Sequence, residues 1–275
     1  QLHPVEYGAQ TLLGVLARVP QLRPEDIGDV IMGCAMPFGV QGGNMARLIV
    51  QRAGLPDCVT AQTVNRYCSS GLQTIATAAN AIRCGEEDVV IAGGVESMSL
   101  VPMLVGAEDA DPWLAEHRPE VYTTMGITAE NVARQWGISR ADMDAMAVES
   151  HRRAAQAQAG GCFDGQIIPI TVPGPDGGEV VVCRDEGIRP GTTAETLAGL
   201  KPCFLENGSV TAATSSQMTD GAGFVVLMSE EKAAELGVKP LARFVSFATG
   251  GVPAEVMGVG PIEAVPKALR KAGLT

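Results

Sequence analysis

The chain contains 275 residues, of which 46% are hydrophobic and 19% charged, a composition typical of an α/β protein with a substantial core. Its formal net charge of −11 at pH 7 argues against nucleic acid as a partner, because nucleic-acid binding normally requires a basic surface. The sequence contains no apolar run of about eighteen residues, so no membrane span is predicted. It also contains no leader pattern, so secretion is not predicted.

Strands and helices alternate over the first hundred residues. The patterns predict a helix over residues 3–17, a strand over Asp29–Cys34, a helix over Asn44–Ala53, a strand over Thr60–Asn65, a helix after Cys68 and a strand over Asp88–Ala92. These strands are nearly continuous apolar runs, which are expected when helices cover both faces of a parallel sheet. The sequence therefore predicts a layered α/β fold.

The segment VNRYCSSGLQTIATAANAIRCG, residues 64–85, indicates a strand that ends near Cys68 and is followed by an amphipathic helix. Apolar residues recur at helical spacing at Leu72, Ile75, Ala76, Ala79 and Ile82. Cys68 is therefore predicted at a helix N-terminus, where unpaired backbone N–H groups favour a nucleophilic thiolate. A strand-to-helix turn exposes the nucleophile of serine hydrolases in the same way.

The helix alone is a weak activator of Cys68. A helix terminus stabilises an anion by about 0.3–1 kcal/mol, or up to about 2 kcal/mol when partly buried, so a nearby base is also expected. The alternative interpretation is a small buried core residue, the usual state of a free cysteine. We give that interpretation to the other six cysteines, which contain no C-x-x-C pair and indicate reduced thiols rather than a zinc site.

The pattern changes after about residue 100. Helices are predicted over Thr128–Trp136 and Arg140–Ala159, and strands over Gln166–Val172 and Glu179–Cys183, joined by the turn sequence PGPDGG into a hairpin. A strand over Ala222–Met228, a helix over Ser229–Leu236, a strand over Leu241–Ala248 and a helix over Ile262–Ala272 follow. Residues 100–216 therefore have the character of an insertion into a sheet that resumes afterwards.

Five segments in order resemble the thiolase family. VNRYCSSGLQTIA resembles the segment that carries the acyl-accepting cysteine, and IAGGVESMS resembles the strand and loop after it. TMGITAENVARQWGISRADMDAMAVESHRRA resembles the helical part of the thiolase loop domain. GSVTAATSSQMTDGAGFVVLMS and ATGGVPAEVMGVGPIEAVPKALRKAGL resemble later family segments. The resemblance implies that Cys68 becomes acylated.

The same resemblance implies a thiolase-like αβαβα layered fold, with two similar halves and a loop domain inserted into the first. Residues 1–99 and 217–240 then form the N-terminal half, 100–216 the loop domain that binds coenzyme A (CoA), and 241–275 the start of the C-terminal half. Most of the second half is absent from this sequence.

Thiolases transfer an acyl group from 3-ketoacyl-CoA to CoA. The family's cysteine takes the acyl group from 3-ketoacyl-CoA while acetyl-CoA leaves, and CoA then accepts it. The family's Asn-Glu-Ala-Phe and Gly-His-Pro segments and its second cysteine, which support this chemistry, do not occur in the sequence, and His3, His117 and His151 match none of them. We therefore expect negligible turnover from these 275 residues alone.

The resemblance also implies contacts to CoA, a substrate here and not a permanently bound cofactor. Met125 and Phe204 are expected against the pantetheine arm, Arg189 beside the adenine and Ser216 near a pantetheine amide. The alternative interpretations are lid core for Met125 and Phe204, a solvated charge for Arg189 and a cap for Ser216. Thr214 and Gln217 depart from the Asn and Gly of short-chain thiolases.

The leading hypothesis is a degradative 3-ketoacyl-CoA thiolase of fatty-acid β-oxidation. Its alternatives are a short-chain acetoacetyl-CoA thiolase (acetyl-CoA acetyltransferase), a non-catalytic thiolase-like acyl-CoA or lipid carrier, and, less well supported, a ketoacyl synthase. A homodimer or dimer of dimers is predicted through the strand Thr60–Asn65, because that strand would otherwise leave an apolar sheet edge exposed. A cytoplasmic location is expected, or an organellar matrix if the source is eukaryotic.

Overall fold

The computed structural model describes residues 2–103 and 109–275, which form two compact units. The first unit comprises Gln1–Met103, Ile167–Arg184 and Met218–Val245. The second comprises Leu104–Gln166, Asp185–Gln217 and Ser246–Thr275.

The first unit is built on a four-stranded sheet. Its strands are β1 (Asp29–Gly33), β2 (Thr60–Val64), β3 (Val89–Glu96) and β6 (Gly221–Met228), in the order β2-β1-β3-β6. Strand β1 pairs in parallel with β2 and β3, whereas β6 pairs antiparallel with β3. The carboxyl ends of the three parallel strands therefore meet at one edge of the sheet, which is where ligands bind in open α/β sheets.

Helices cover both faces of this sheet. The helices of the first unit are α1 (Pro4–Leu16), α2 (Met45–Arg52), α3 (Ser70–Arg83) and α8 (Glu230–Leu236). On one face α1 and α2 pack against alternate strand residues such as Val30 and Ile91. On the other face Ala78 of α3 packs against Ile31 and Val90. The period of two along β1 thus divides its side chains between two apolar layers, as the layered prediction requires.

A hairpin of β4 (Ile170–Pro173) and β5 (Glu179–Val182) also belongs to the first unit. It is antiparallel, as its turn sequence predicts. The Gln10 side chain of α1 donates to the Thr171 carbonyl oxygen at 3.2 Å and accepts from its N–H at 2.9 Å. An amide side chain thereby takes the place of a neighbouring strand and fixes the hairpin to α1.

The second unit is mainly helical. It contains α4 (Pro112–His117), α5 (Met125–Trp136), α6 (Arg140–Ala159), α7 (Ala194–Ala198) and α9 (Gly260–Ala272). Helix α6 begins at a capping box between Ser139 and Asp142. No helix in the described ranges is long and apolar enough to cross a membrane.

Two expectations differ from the structure. The predicted strand over Leu241–Ala248 does not form, since those residues pair with no strand in the described part of the chain, and β-branched residues form strands only where a partner accepts their backbone groups. Five of the six cysteines expected in the core are exposed, and only Cys34 is buried. The predicted domain boundaries, with residues 241–275 opening a second half, stay a prediction.

Candidate active site

Cys68 lies in the turn between β2 and α3, in the first unit. Its side chain is exposed, and it directly precedes Ser69, the N-cap of α3. The first turn of α3 packs tightly on β1: a Cβ at Gly33 would lie 2.6 Å from Ser70 Cβ. A glycine in β1 thus allows the helix to start directly beside the sheet and to place the thiol at the carboxyl edge of the strands.

The turn that carries Cys68 has an unusual backbone. Tyr67 has a φ of 47°, in the left-handed region that bulky residues rarely occupy, and the residue is 68% exposed. Strained backbone of this kind is concentrated at functional sites. An exposed thiol at a strained strand-to-helix turn is suited to nucleophilic attack on a substrate carbonyl.

A buried polar cluster lies where β1 and β3 end. The Glu96 carboxylate accepts from Ala35 N–H at 2.7 Å, Met36 N–H at 3.3 Å and Gln41 Nε2 at 2.8 Å. Cys34 is buried beside it, and burial, together with the negative charge of Glu96, raises the pKa of Cys34 to about 12. Cys34 is therefore a protonated packing residue.

Each histidine has a local partner. His3 caps α1 by accepting from Val5 N–H at 3.2 Å, and His117 stacks on Trp113 with ring centroids 4.6 Å apart. His151 Nδ1 accepts from the backbone N–H of Arg189 at 3.2 Å. Within the described ranges, no hydrogen bond joins a histidine to Cys68.

The four residues predicted to contact CoA all lie in the second unit and are all exposed. Met125 begins α5, and the Phe204 ring lies directly over the next residue, because a Cβ at Gly126 would be 2.2 Å from Phe204 Cδ1. These two apolar side chains are therefore neighbours. Met125 is 47% exposed and Phe204 is 42% exposed, so both present apolar surface to solvent.

The segments that carry Arg189 and Ser216 also meet. A Cβ at Gly187 would be 2.1 Å from Gln217 Nε2, so the residue after Ser216 contacts a residue two positions before Arg189. His151 fixes the Arg189 backbone, and this role was not foreseen from the sequence, where His151 reads as part of a charged helical face. The contacts of these four residues to CoA stay predictions.

Glu130 is a second residue that sequence reasoning missed. It is 6% exposed on α5, and its carboxylate accepts from Ser209 N–H and Oγ and from Val210 N–H, all at 2.8 Å. Burial raises the pKa of Glu130, but the hydrogen bonds from Val210 and Ser209 outweigh it and hold the pKa below its usual range. The sequence signal for this burial was the helical spacing of Gly126, Glu130 and Ala133, which places the Glu130 carboxylate on the same helix face as two small buried residues.

Comparison with known proteins identifies the fold. Residues 1–231 match the model of the thiolase N-terminal domain. The chain is 54% identical to the 3-ketoacyl-CoA thiolase of Bacillus subtilis (strain 168), over 90% of this chain and 66% of that protein. It is 44% identical to the acetyl-CoA acetyltransferase of Allochromatium vinosum, over 100% of this chain and 72% of that protein.

A solved structure is similar over the whole chain. The crystal structure of the Bacillus anthracis acetyl-CoA acetyltransferase superposes with a TM-score of 0.90 at 40% identity, covering 100% of this chain and 72% of that one. The chain thus spans about two thirds of the length of the curated relatives it matches. The predicted thiolase-like α/β fold is confirmed.

Proposed function

The chain belongs to the thiolase family, and on that premise we propose that it carries the nucleophile of an acyl-CoA acyltransferase that cleaves 3-ketoacyl-CoA with CoA. The observation that carries the proposal is the exposed Cys68 at the strained turn between β2 and α3. The relative that shares 54% identity is named a 3-ketoacyl-CoA thiolase, and the one at 44% an acetyl-CoA acetyltransferase, which favours the degradative branch over the short-chain alternative.

The proposed reaction has two steps. The Cys68 thiolate attacks the C3 carbonyl of 3-ketoacyl-CoA, the C2–C3 bond breaks, and the acetyl-CoA carbanion leaves and takes up a proton. The acyl group is then a thioester on Cys68. The CoA thiol loses its proton to a base and attacks this thioester, which releases the shortened acyl-CoA and restores the Cys68 thiolate. Each of the two attacks places negative charge on a carbonyl oxygen, and electrostatic stabilisation of this oxyanion can be worth several kcal/mol. Among the described residues, the N-terminus of α3 is the group that would contribute to it.

CoA and acyl-CoA are substrates in this proposal, held by the exposed pair Met125 and Phe204 and by the adjoining segments of Arg189 and Ser216. The exposed apolar pair suits the flexible pantetheine chain, and a guanidinium can stack on a purine while it meets phosphate charge. Replacing Arg189 with Ala should weaken CoA binding measured by calorimetry. Replacing Arg153 with Ala is the control, because that arginine is also exposed in the second unit but pairs with Glu149. Equal affinities for all three proteins would contradict the contact.

The decisive experiment follows the fate of Cys68. The protein as its gene encodes it is incubated with 3-ketoacyl-CoA of short and long chain length, the acyl adduct is located by peptide mapping, and CoA-dependent product is measured. We expect an adduct on Cys68, its loss in Cys68→Ser, and turnover of long-chain substrate. Turnover of acetoacetyl-CoA alone would favour the short-chain enzyme, and acyl-CoA binding without any adduct would favour the carrier.

We propose further that two copies of the chain pair through β2, which is an edge strand of the described sheet with exposed Thr60 and Gln62. A two-fold pairing of like strands would close this edge next to the Cys68 turn. Sedimentation at micromolar concentration should show a dimer or a dimer of dimers, and Gln62→Lys should shift it toward the monomer. A wild-type monomer would contradict this.

The seven described cysteines are all free, which supports a cytoplasmic site of action.

A further inference from the structure

The left-handed conformation of Tyr67 needs an explanation, because a residue with a Cβ does not adopt it without support. Two peptide planes flank the Tyr67 Cα atom. The first ends in the Tyr67 N–H, and the second contains the Tyr67 carbonyl and the Cys68 N–H. The orientation of the second plane decides where the Cys68 Cα atom and its thiol lie.

Asn65 holds the first plane. Its Oδ1 accepts from the Tyr67 N–H at 2.8 Å, and its Nδ2 donates to the carbonyl oxygen of Ala35 at 3.1 Å. The Ala35 N–H in turn donates to Glu96 Oε2 at 2.7 Å. The anchor therefore reaches from the end of β3, through the loop after β1, to the turn after β2.

Ser70 holds the second plane. Its Oγ donates to the Tyr67 carbonyl oxygen at 2.6 Å and accepts from the Arg66 N–H at 2.8 Å. Ser70 is 4% exposed, and its Cβ is close to Gly33 of β1. Side chains on both sides of Tyr67 thus fix both planes to the sheet.

We infer that Asn65 and Ser70 are positioning residues for Cys68. By holding Tyr67 in the left-handed conformation they keep the peptide that enters Cys68 in one orientation, so that the thiol approaches the substrate carbonyl along one path. The inference rests on the proposed function, because it assigns these residues a role in acyl transfer to Cys68.

Glycine at position 67 provides the test, since glycine adopts a positive φ without support. The rate of Cys68 acylation by acyl-CoA is measured for wild type, Asn65→Ala, Tyr67→Gly and the double variant, with melting temperatures recorded for each. Asn65→Ala should lower the rate about tenfold with KM unchanged. In the Tyr67→Gly background the same replacement should cost less than about threefold, because the held conformation no longer depends on Asn65.

One further variant separates the two contacts of Asn65, and another serves as the control. Asn65→Asp keeps the acceptor for Tyr67 N–H but loses the donor to Ala35, so its rate should fall between wild type and Asn65→Ala. Asn80→Ala, an exposed asparagine on α3, is the control and should leave the rate unchanged. Hydrogen exchange of the peptide spanning 64–72 should rise in Asn65→Ala and not in Asn80→Ala.

The outcomes are distinct. Equal acylation rates for wild type and Asn65→Ala, or an equal loss with and without Tyr67→Gly, would overturn the inference while leaving the proposed function intact. A wild-type Cys68 that accepts no acyl group would overturn the proposed function itself and the positioning role with it. A merely structural role for Asn65 would lower the melting temperature without rescue by glycine.

Discussion

Replacing Glu130 with Gln tests whether a buried carboxylate stabilises the second unit. Glutamine has the same shape, but it offers one acceptor oxygen where Glu130 offers two, and its NH₂ group would face a backbone donor. Oε1 of Glu130 accepts from the N–H groups of both Ser209 and Val210, so glutamine can keep these two bonds only as bonds to a neutral acceptor, and its NH₂ group replaces the oxygen that accepts from Ser209 N–H at 3.0 Å. A hydrogen bond to a charged acceptor contributes about 1.5–3 kcal/mol and one between neutral groups about 0.5–1.5 kcal/mol, so we expect a loss of about 1–3 kcal/mol.

The assay is urea and thermal unfolding followed by tryptophan fluorescence. Both tryptophans, Trp113 and Trp136, lie in the second unit, so the signal reports on the part of the chain that contains Glu130. At about 2–4 °C per kcal/mol, the melting temperature should fall by about 2–12 °C. Glu149→Gln is the matched control: Glu149 pairs with two arginines, but its side chain is 41% exposed, so its replacement should have little effect.

The stabilisation by Glu130 should also depend on pH. Because the pKa of Glu130 is lower in the folded protein than in the unfolded chain, its contribution is complete above the ordinary glutamate value of about 4.3 and is lost as the pH falls through the folded pKa. The difference between wild type and Glu130→Gln should therefore shrink on acidification. Equal stability of the two proteins at pH 7, or a difference that grows toward acid, would refute the reasoning.

Three other changes test the first unit. Gly33→Ala would place a Cβ 2.6 Å from Ser70 Cβ, so we expect the free energy of unfolding in urea to fall by about 1–3 kcal/mol. The labelling of Cys68 should also become slower, and unchanged labelling would contradict the packing argument. Cys34, whose pKa is raised to about 12, should resist iodoacetamide at pH 8 until the protein unfolds, whereas Cys68 should label ahead of the five other exposed cysteines in peptide maps; early labelling of Cys34 would contradict its burial. Leu12→Ala removes a fully buried side chain of α1 and should cost about 2–5 kcal/mol by chemical denaturation, and a loss below about 1 kcal/mol would show that the layer repacks.

Local signals in the sequence were sufficient for most of the helices and strands. Helix α6 spans Arg140–Ala159 as predicted, because a capping box at Ser139 and a glycine at position 160 mark its ends. The antiparallel direction of β6 was not readable, since an apolar run carries no information about its partner. The run over Leu241–Ala248 has the same composition as a strand, but pairing depends on a neighbour that local composition does not specify.

The candidate site was likewise predictable from the sequence only in part. The position of Cys68 before α3 follows from the helical period that begins after Ser69, and the structure places it there. The bond from Asn65 to Ala35 and the bonds made by Glu130 join residues from different elements, 30 positions apart for Asn65 and Ala35 and 79 for Glu130 and Ser209. Such contacts depend on the tertiary arrangement, so only the helical phase of Glu130 gave any warning of them.

Strand β6 joins β3 only after the chain has made a long excursion: Glu96 pairs with Gly221, about 125 residues later. At a synthesis rate of about 5–20 residues per second, the ribosome needs about 6–25 s to supply the missing strand. During that time the edge of β3, with apolar residues such as Val90 and Ile91 beside it, is open to pairing with another chain. The order of synthesis therefore makes this sheet a point of vulnerability to aggregation on the ribosome, and a chaperone that binds nascent apolar strands would act there before β6 arrives.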